Sequence, residues 1–380
     1  MFTLRYGVEP WGNFYGSARQ NGGTSIRDTS LGRLAALDDQ SLLEVLGLLS
    51  YEHLLLVCMT SRALYVFGHH DELWRTLALN YLQGDFQFAD SWKSTLGRKL
   101  LGKRFPGHRP LTVKGLYSDL LFQPWLCATV GVLPEWLEVS NIERRDNLTL
   151  ESFIDEYERR NRPVIVTDVV KHWPAFKKWN REYLLENFGE KEFEVGPVKM
   201  KMNNFYHYCD HAKEEKPLYL FDKDFPVTCP SLVEDYEVPE YFKQDFFEAL
   251  GDSRPNWRWI IIGPARSGSS FHIDPNSTSA WNAVISGRKK WIMFPPGQRP
   301  PGVFPSADMA NVATSASIWE WFLNFYPATK SCKVRPLECV CEAGEIIFVP
   351  NGWWHCVLNL EPSVAITQNY VRTSRHIVHV

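Results

Sequence analysis

The sequence lacks the features that would place it in an oxidising compartment or in a membrane. Its eight cysteines include no CxxC pair, and Cys339 and Cys341 are only two residues apart, so neither a disulfide framework nor a zinc ribbon is expected. There is no apolar run of about eighteen residues that could span a bilayer, and the first residues do not have the pattern of a signal peptide. The sequence therefore predicts a reduced, intracellular protein, in the nucleus or the cytoplasm, with no membrane partner.

An excess of charge of one sign is also missing. The formal net charge is −3 over 380 residues, so nucleic acid is not an expected partner. Aromatic residues, in contrast, make up 14% of the chain and include 15 tryptophans. The length predicts two domains, and the aromatic content favours large β-rich cores with aromatic-lined pockets.

Three residues indicate a metal site. His272 and Asp274 are separated by one residue in an extended segment, so their side chains point to the same face of a sheet. His355 follows the apolar run 345–350, which is typical of a second strand. Two imidazoles and one carboxylate are the ligands of non-haem Fe(II) oxygenases, where three coordination positions stay open. We therefore predict that His272, Asp274 and His355 are the catalytic metal ligands.

The N-terminal part of the chain divides into three segments before a second domain at 136–380. Residues 1–30 are rich in Gly, Asn, Ser and Arg and are predicted to be flexible. Residues 31–80 carry apolar residues at helical spacing, with Asp38 and Asp39 as predicted helix caps. Residues 81–135 are basic and aromatic, which indicates a linker or, as an alternative, a surface for phosphate or an acidic peptide.

The order of elements in residues 31–80 resembles an F-box, although Asp38 stands where that family commonly has proline. The matching residues are Leu34, Leu37, the LLxxL run at 42–46, Ser61, Arg62 and the closing DELW at 71–74. The resemblance implies that this segment docks a Skp-type adaptor of an SCF ubiquitin ligase. The alternative is a small helical bundle that packs on the next domain.

The second domain resembles the JmjC family of 2-oxoglutarate oxygenases. The matching segments are RPVIVTDVVKHWPAFKKW (162–179), VKMKM (198–202), KPLYLFD (216–222), DYEVPEYF (235–242), GPARSGSSFHIDPNSTSAWNAVISGRKKWIMFPP (263–296) and GEIIFVPNGWWHCVLNLEPSVAITQNY (344–370). They are similar to the branch that contains the jumonji lysyl hydroxylases and reported arginine demethylases. The resemblance implies a mainly β fold with α-helices, a double-stranded β-helix (cupin jelly roll), preceded by the small helical F-box domain.

The resemblance also implies a cosubstrate pocket. In the family pattern Lys289 binds the far carboxylate of 2-oxoglutarate, whereas Lys290 faces the opposite side by strand alternation and is expected to be a surface charge. Four further residues match the pocket residues of the family pattern and carry a hydroxyl or an amide group: Ser269, Asn282, Thr367 and Asn369. Asn282 could alternatively be a structural amide.

One departure from the family pattern follows the VKMKM segment. This branch usually has two tyrosines there, and one of them contacts the cosubstrate carboxylate. The sequence has Asn203, Asn204 and Phe205 instead. We therefore expect the phenol contact to be lost or replaced by an asparagine.

The resemblance implies Fe(II), 2-oxoglutarate and O2 as cofactor and cosubstrates, with a protein or peptide as substrate. Hydroxylation of a protein side chain, above all of lysine, is the expected activity. The alternatives are arginine or lysine demethylation, and capture of a target for ubiquitination. Residues 298–335 are expected to be an insertion that shapes a substrate groove. Related proteins continue into helices that dimerise, so the sequence predicts either a monomer or a natural chain that extends further.

Overall fold

The chain divides near Val130 into two structural units. The first comprises residues 1–130 and 210–215, and the second comprises residues 131–209 and 216–380. The structure is a computed structural model that describes residues 5–20, 22–102 and 111–372. No helix in those ranges is long and apolar enough to cross a lipid bilayer.

The first unit is helical, as the apolar periodicity of residues 31–80 predicts. Its helices are α1 (Trp11–Asn13), α2 (Ile26–Ser30), α3 (Asp39–Gly47), α4 (Tyr51–Cys58), α5 (Arg62–Gly68), α6 (Asp71–Leu82), α7 (Trp92–Leu101) and α8 (Asp119–Thr129), with 3-10 or π-helical segments at Arg5–Gly7, Phe14–Ala18 and Gly32–Ala36. Polar side chains begin several of them. Asp38 accepts a hydrogen bond from the Ser41 backbone N–H at the start of α3, as predicted, and Ser50 and Ser61 cap α4 and α5 in the same way.

The structure differs from the predictions for two of the N-terminal segments. Within the segment predicted to be flexible, Arg27 is buried and its Nε donates to Asp39 Oδ1 at 2.7 Å. The predicted linker 81–135 is not a separate segment, because α7 and α8 belong to the helical unit and bury apolar residues such as Trp92 and Leu121. Residues 103–110, a basic stretch of that linker, lie outside the described residues.

The second unit is built around β-sheets. Its helices are α9 (Leu150–Phe153), α10 (Pro174–Lys178), α11 (Arg181–Phe188), α12 (Met202–His211), α13 (Phe225–Thr228) and α14 (Ile318–Asn324), with 3-10 or π-helical segments at Pro134–Trp136, Ile154–Glu158, Val170–His172, Pro230–Asp235, Glu240–Phe242, Phe246–Ser253 and Tyr326–Ser331. Its strands are β1 (Arg144–Arg145), β2 (Val164–Val166), β3 (Glu192–Val195), β4 (Val198–Lys201), β5 (Leu220–Asp222), β6 (Arg258–Gly263), β7 (Gly268–His272), β8 (Ser279–Ser286), β9 (Arg288–Phe294), β10 (Phe304–Pro305), β11 (Val312–Ala313), β12 (Leu337–Glu342), β13 (Ile346–Val349), β14 (Trp354–Asn359) and β15 (Ser363–Tyr370).

Two of the sheets enclose the core. In the described part of the chain, the larger sheet has the order β1–β2–β13–β8–β15–β6–β5–β3–β4 and the smaller has the order β12–β9–β14–β7. Ile165, Val284 and Ile347 of the larger sheet pack with Met293 and Cys339 of the smaller sheet in one buried apolar cluster. Consecutive strands alternate between the two sheets from β6 to β9 and again from β12 to β15, and this connectivity in two mainly antiparallel sheets is typical of a jelly roll. The predicted fold of the second domain is therefore confirmed.

Two glycines allow the close approaches that position the site. A Cβ atom on Gly268 would lie 1.9 Å from the backbone oxygen of Val357, so β7 and β14 can pack this closely only with glycine there. Gly287 has a φ of +80° in the turn between β8 and β9, and a Cβ atom there would lie 2.3 Å from Pro362 O. These positions fix the strands that carry His272, His355 and Lys289.

Candidate metal and cosubstrate site

The three predicted metal ligands converge at one end of the space between the sheets. His272 ends β7 and lies directly opposite His355 of β14, while Asp274 follows two residues later. The Nε2 atoms of both histidines lie 3.8 Å from Asp274 Oδ1, and ligand atoms of all three residues lie within 4.8 Å of one another. Among the residues that the structure describes, no other His, Cys, Asp and Glu side chains gather in this way.

Backbone carbonyls set the tautomer of both histidines. The Nδ1 atom of His272 lies 2.8 Å from Ser270 O, and that of His355 lies 3.0 Å from Trp353 O. A carbonyl can only accept, so each Nδ1 carries the proton and each Nε2 keeps its lone pair for a metal. Burial, and then the neighbouring His272, lower the pKa of His355 to about 4. Its imidazole is therefore neutral at physiological pH and able to bind a cation.

The triad opens into a cavity of about 520 Å³ between the two sheets. The five residues predicted for the cosubstrate all line it: Ser269, Asn282, Lys289, Thr367 and Asn369. Strand register explains why the polar residues of the larger sheet share this wall, since Thr367 of β15 lies opposite Asn282 of β8 and alternate residues of one strand face the same side. Their contacts with a cosubstrate stay a prediction.

Lys289 is a buried cation in the wall of this cavity. Its Nζ donates a hydrogen bond to Asn359 Oδ1 at 2.9 Å, and none of the ion pairs found among the described residues includes it. Burial lowers the pKa of the Lys289 ammonium to about 8. A buried ammonium group without an anion is unfavourable, so this end of the cavity is suited to a ligand that carries a carboxylate.

Lys290 faces the opposite side of β9, as strand alternation predicts, but it is not the surface charge that was expected. The residue is 1% exposed, and its Nζ lies 2.7 Å from Glu338 Oε2 and 3.1 Å from the backbone oxygen of Val139. Tyr326 also donates to Glu338 Oε2, at 3.2 Å. The physical reason is that neighbouring chain segments cover the outer face of the smaller sheet, so a residue on that face is buried.

Asn359 is a wall residue that the sequence did not predict. Its Oδ1 accepts the hydrogen bond from Lys289, while its Nδ2 donates to Ser267 Oγ at 2.9 Å. Ser267 Oγ in turn donates to Pro264 O at 2.7 Å. Because a carbonyl only accepts, this chain of bonds orients the amide with its oxygen toward the lysine. Asn359 lies opposite Lys289 on the neighbouring strand, so its role can be recognised only once the strand register is known.

The cavity contains a tyrosine, but this tyrosine does not come from the segment that follows VKMKM. Asn203 donates to Glu190 Oε1 at 2.8 Å and Phe205 is buried, and neither lines the cavity. Tyr219 does line it, together with Phe221 of β5. Burial raises the pKa of the Tyr219 hydroxyl, which keeps the phenol a neutral hydrogen-bond donor. Alternation in the segment KPLYLFD places Tyr219 and Phe221 on one face, so a phenol reaches the cavity from a segment other than the one after VKMKM.

The polar groups of the cavity fit Fe(II) and 2-oxoglutarate. Within the described structure, two buried atoms of wall residues, Asn282 Oδ1 and Trp291 Nε1, make no hydrogen bond. Rotating the Asn282 amide by half a turn would offer an N–H to an anion instead. Two imidazoles and a carboxylate at one end suit ferrous iron, and Lys289 at the wall suits the far carboxylate of a dicarboxylic acid.

A jelly roll with this triad and a buried lysine is the architecture of cupin-type iron oxygenases, and comparison with known proteins agrees. Residues 150–376 match the cupin-like domain family. The chain is 50% identical to the arginine-specific demethylase JMJ22 of Arabidopsis thaliana, over 98% of this chain and 74% of that protein. It is 39% identical to the bifunctional arginine demethylase and lysyl-hydroxylase psr-1 of Caenorhabditis elegans, over 60% of this chain and 61% of that protein. It is 29% identical to the 2-oxoglutarate and iron-dependent oxygenase JMJD4 of Gallus gallus, over 61% of this chain and 60% of that protein.

The chain therefore belongs to the JmjC branch of the cupin-like oxygenases. It is an oxygenase whose cofactor is Fe(II) and whose cosubstrate is 2-oxoglutarate.

Proposed function

We propose that this protein hydroxylates a C–H bond of a cationic protein side chain, and that N-methyl groups of arginine are its substrate. The observation that carries the oxygenase reaction is the convergence of His272, Asp274 and His355 on a cavity that also contains the unpaired Lys289. The choice of arginine is supported by the demethylase that is 50% identical over 98% of this chain.

The residues of the chain have separable roles in this reaction. Bound Fe(II), together with 2-oxoglutarate and O2, supplies an oxidant for an unactivated C–H bond. The two histidines and Asp274 hold the metal, with the Nε2 lone pairs directed by Ser270 O and Trp353 O. Lys289 binds the far carboxylate of 2-oxoglutarate and Asn359 orients its ammonium group. His355 and Lys289 are buried, which strengthens the electrostatic contacts of these two residues.

The proposed reaction balances without a further reductant. One O2 and one 2-oxoglutarate convert N–CH3 to N–CH2OH and yield succinate and CO2. The hydroxymethyl group then breaks its N–C bond, which releases formaldehyde and returns the proton to nitrogen. Lysyl hydroxylation is the second candidate, supported by the relative that is named for both activities, and it ends at the hydroxylated carbon with no bond cleavage.

Mass spectrometry of peptide products distinguishes the two reactions. Peptides that carry either a methylated arginine or a lysine at one position are incubated with the full chain, Fe(II) and 2-oxoglutarate. We expect loss of one methylene group with stoichiometric formaldehyde from the first peptide, whereas gain of one oxygen atom on the second would favour the lysyl hydroxylase. Products formed equally by Asp274→Ala would contradict both.

We also propose that the helical unit docks a Skp-type adaptor through residues 31–80. This is supported by the exposed apolar side chains of Val45, Leu48, Leu56 and Met59, which belong to α3 and α4 or directly follow them. Exposed apolar side chains in this number are typical of a protein-binding surface. Co-purification of the full chain with a Skp protein is the expected result, and its failure with every Skp protein tested would contradict the proposal.

A further inference from the structure

The cavity contains an aromatic pair that the metal and cosubstrate do not require. Phe221 of β5 and Trp259 of β6 both line the cavity, with ring centroids 5.3 Å apart and planes 16° from parallel. Phe221 is 38% exposed, so part of its ring is not covered by the protein. The remaining surface of these stacked rings is available to a flat apolar or cationic group.

Carboxylates are scarce in the same cavity. Of the residues that line it in the described structure, only Asp274 is acidic, and Asp274 is a metal ligand. The charges of Lys289, Asp274, Fe(II) and 2-oxoglutarate cancel one another. A cationic side chain that enters the loaded cavity therefore meets no spare carboxylate and has to be stabilised by rings and by neutral acceptors.

Asn369 offers such an acceptor. Its Nδ2 donates to Thr278 Oγ1 at 2.8 Å, and Thr278 Oγ1 donates to Pro275 O at 2.9 Å. Because Pro275 O can only accept, the hydroxyl proton is used there and the Asn369 amide is oriented with its N–H₂ toward Thr278. In this orientation Oδ1 can accept a hydrogen bond from an N–H donor of a substrate, and Nδ2 keeps one further hydrogen.

We propose that Phe221, Trp259 and Asn369 Oδ1 form a subsite for an N-methylated guanidinium group. A guanidinium is planar and weakly hydrated and stacks on aromatic faces, whereas the ammonium of lysine is compact and strongly hydrated. N-methylation adds apolar surface that the rings cover. In this subsite Asn369 contacts the substrate, whereas the sequence predicted a contact with the cosubstrate. The subsite rests on the proposed function, and its preference for methylarginine over lysine distinguishes the two candidate reactions.

Binding measurements test the subsite independently of turnover. The full chain is loaded with redox-silent Mn(II) and N-oxalylglycine, and it is titrated calorimetrically with a peptide that carries one monomethylarginine, or lysine at the same position. We expect the methylarginine peptide to bind about tenfold more tightly. Trp259→Leu should remove most of that preference and Trp259→Phe should keep it. Trp257→Leu is the matched control, since Trp257 contacts Arg254 and Arg258 and does not line the cavity.

A charge substitution provides a second test. Asn369→Asp supplies the missing carboxylate, so the lysine peptide should gain affinity while N-oxalylglycine binding weakens little. Equal affinity of the wild-type protein for both peptides, or unchanged methylarginine binding in Trp259→Leu, would overturn the subsite. The proposed function would survive that result if formaldehyde is still produced. If neither peptide binds and no product forms, the subsite and the choice of substrate both fail.

Discussion

Lys289 is the one lysine that lines this cavity in the described structure, and the proposed function assigns it the far carboxylate of 2-oxoglutarate. It is buried, it contacts a neutral amide, and burial lowers the pKa of its ammonium group to about 8. A carboxylate beside it would stabilise the charged form and raise that pKa again. If Lys289 binds the far carboxylate of 2-oxoglutarate, as proposed above, binding of this cosubstrate is coupled to the protonation of Lys289.

This coupling predicts the pH dependence of cosubstrate binding. The protonated form of Lys289 is the one that binds, so the affinity should be nearly constant below the pKa of about 8. At higher pH it should fall by about tenfold per pH unit, because the competent fraction falls by that factor. Calorimetry of the Mn(II)-loaded protein across this pH range measures the dissociation constant of 2-oxoglutarate. The dependence of the binding enthalpy on the ionisation enthalpy of the buffer reports the proton uptake. An affinity that stays constant well above the pKa would contradict this role of Lys289.

At the residue scale, the sequence identified those groups that lie in recognisable motifs. His272, Asp274, His355 and the five predicted pocket residues all reach one cavity. Asn359 was missed because its role depends on pairing with Lys289 across two strands, and no local pattern reveals that register. Tyr219 lines the cavity but was not among the predicted residues, because the family pattern directed attention to the residues after VKMKM.

At the scale of a strand, β9 sends two adjacent lysines into different surroundings. Alternation predicts their opposite directions, and the structure shows Lys289 in the cavity and Lys290 paired with Glu338. Alternation could not predict that Lys290 is buried, because that depends on which distant segments cover the outer face of the sheet. The two lysines consequently differ in what each contributes to stability and to binding.

Parallel methionine substitutions should separate these contributions. Lys289→Met removes a buried cation that has no anion, so the free energy of unfolding at pH 7 should rise by about 1–3 kcal/mol. The same change should weaken 2-oxoglutarate binding by roughly two to four orders of magnitude, since a buried carboxylate without its cation costs about 3–5 kcal/mol. Urea denaturation and calorimetry measure the two quantities.

Lys290→Met is the matched control and should have the opposite effect on the free energy of unfolding. It leaves Glu338 buried without its cation, so the free energy of unfolding should fall by about 3–5 kcal/mol. Cosubstrate affinity of the folded protein should change little. If both variants lost affinity equally, the assignment of Lys289 as the carboxylate ligand would be wrong.

For the whole molecule, the jelly roll was predictable because its motifs extend through most of the second unit. The division of the chain was less predictable. Residues 210–215 belong to the helical unit although they lie far along the sequence, and Arg75 contacts Glu214 there at 3.7 Å. Such a return of the chain leaves no compositional signal, so a boundary drawn from sequence alone cannot include it.

The proposed Skp surface gives a prediction for the helical unit that depends on burial. Leu48 and Met59 are 87% and 75% exposed, whereas Leu42 and Leu46 are 0% and 3% exposed. Leu48→Asp with Met59→Asp should abolish co-purification with a Skp protein and leave the unfolding temperature nearly unchanged. Leu42→Asp with Leu46→Asp should unfold the helical unit, because it buries two charges in the core. Retained Skp binding in the first variant would exclude this surface.

The central claim is that His272, Asp274 and His355 hold the iron to which 2-oxoglutarate binds. Anaerobic titration of the full chain with Fe(II) and 2-oxoglutarate tests it directly, because a chelating 2-oxo acid on ferrous iron gives a visible charge-transfer band. We predict that the band saturates at one iron per chain and is absent in Asp274→Ala, which keeps its fold because this residue lies at the cavity and not in the core. No band in the wild-type protein, or an undiminished band in Asp274→Ala, would contradict the account.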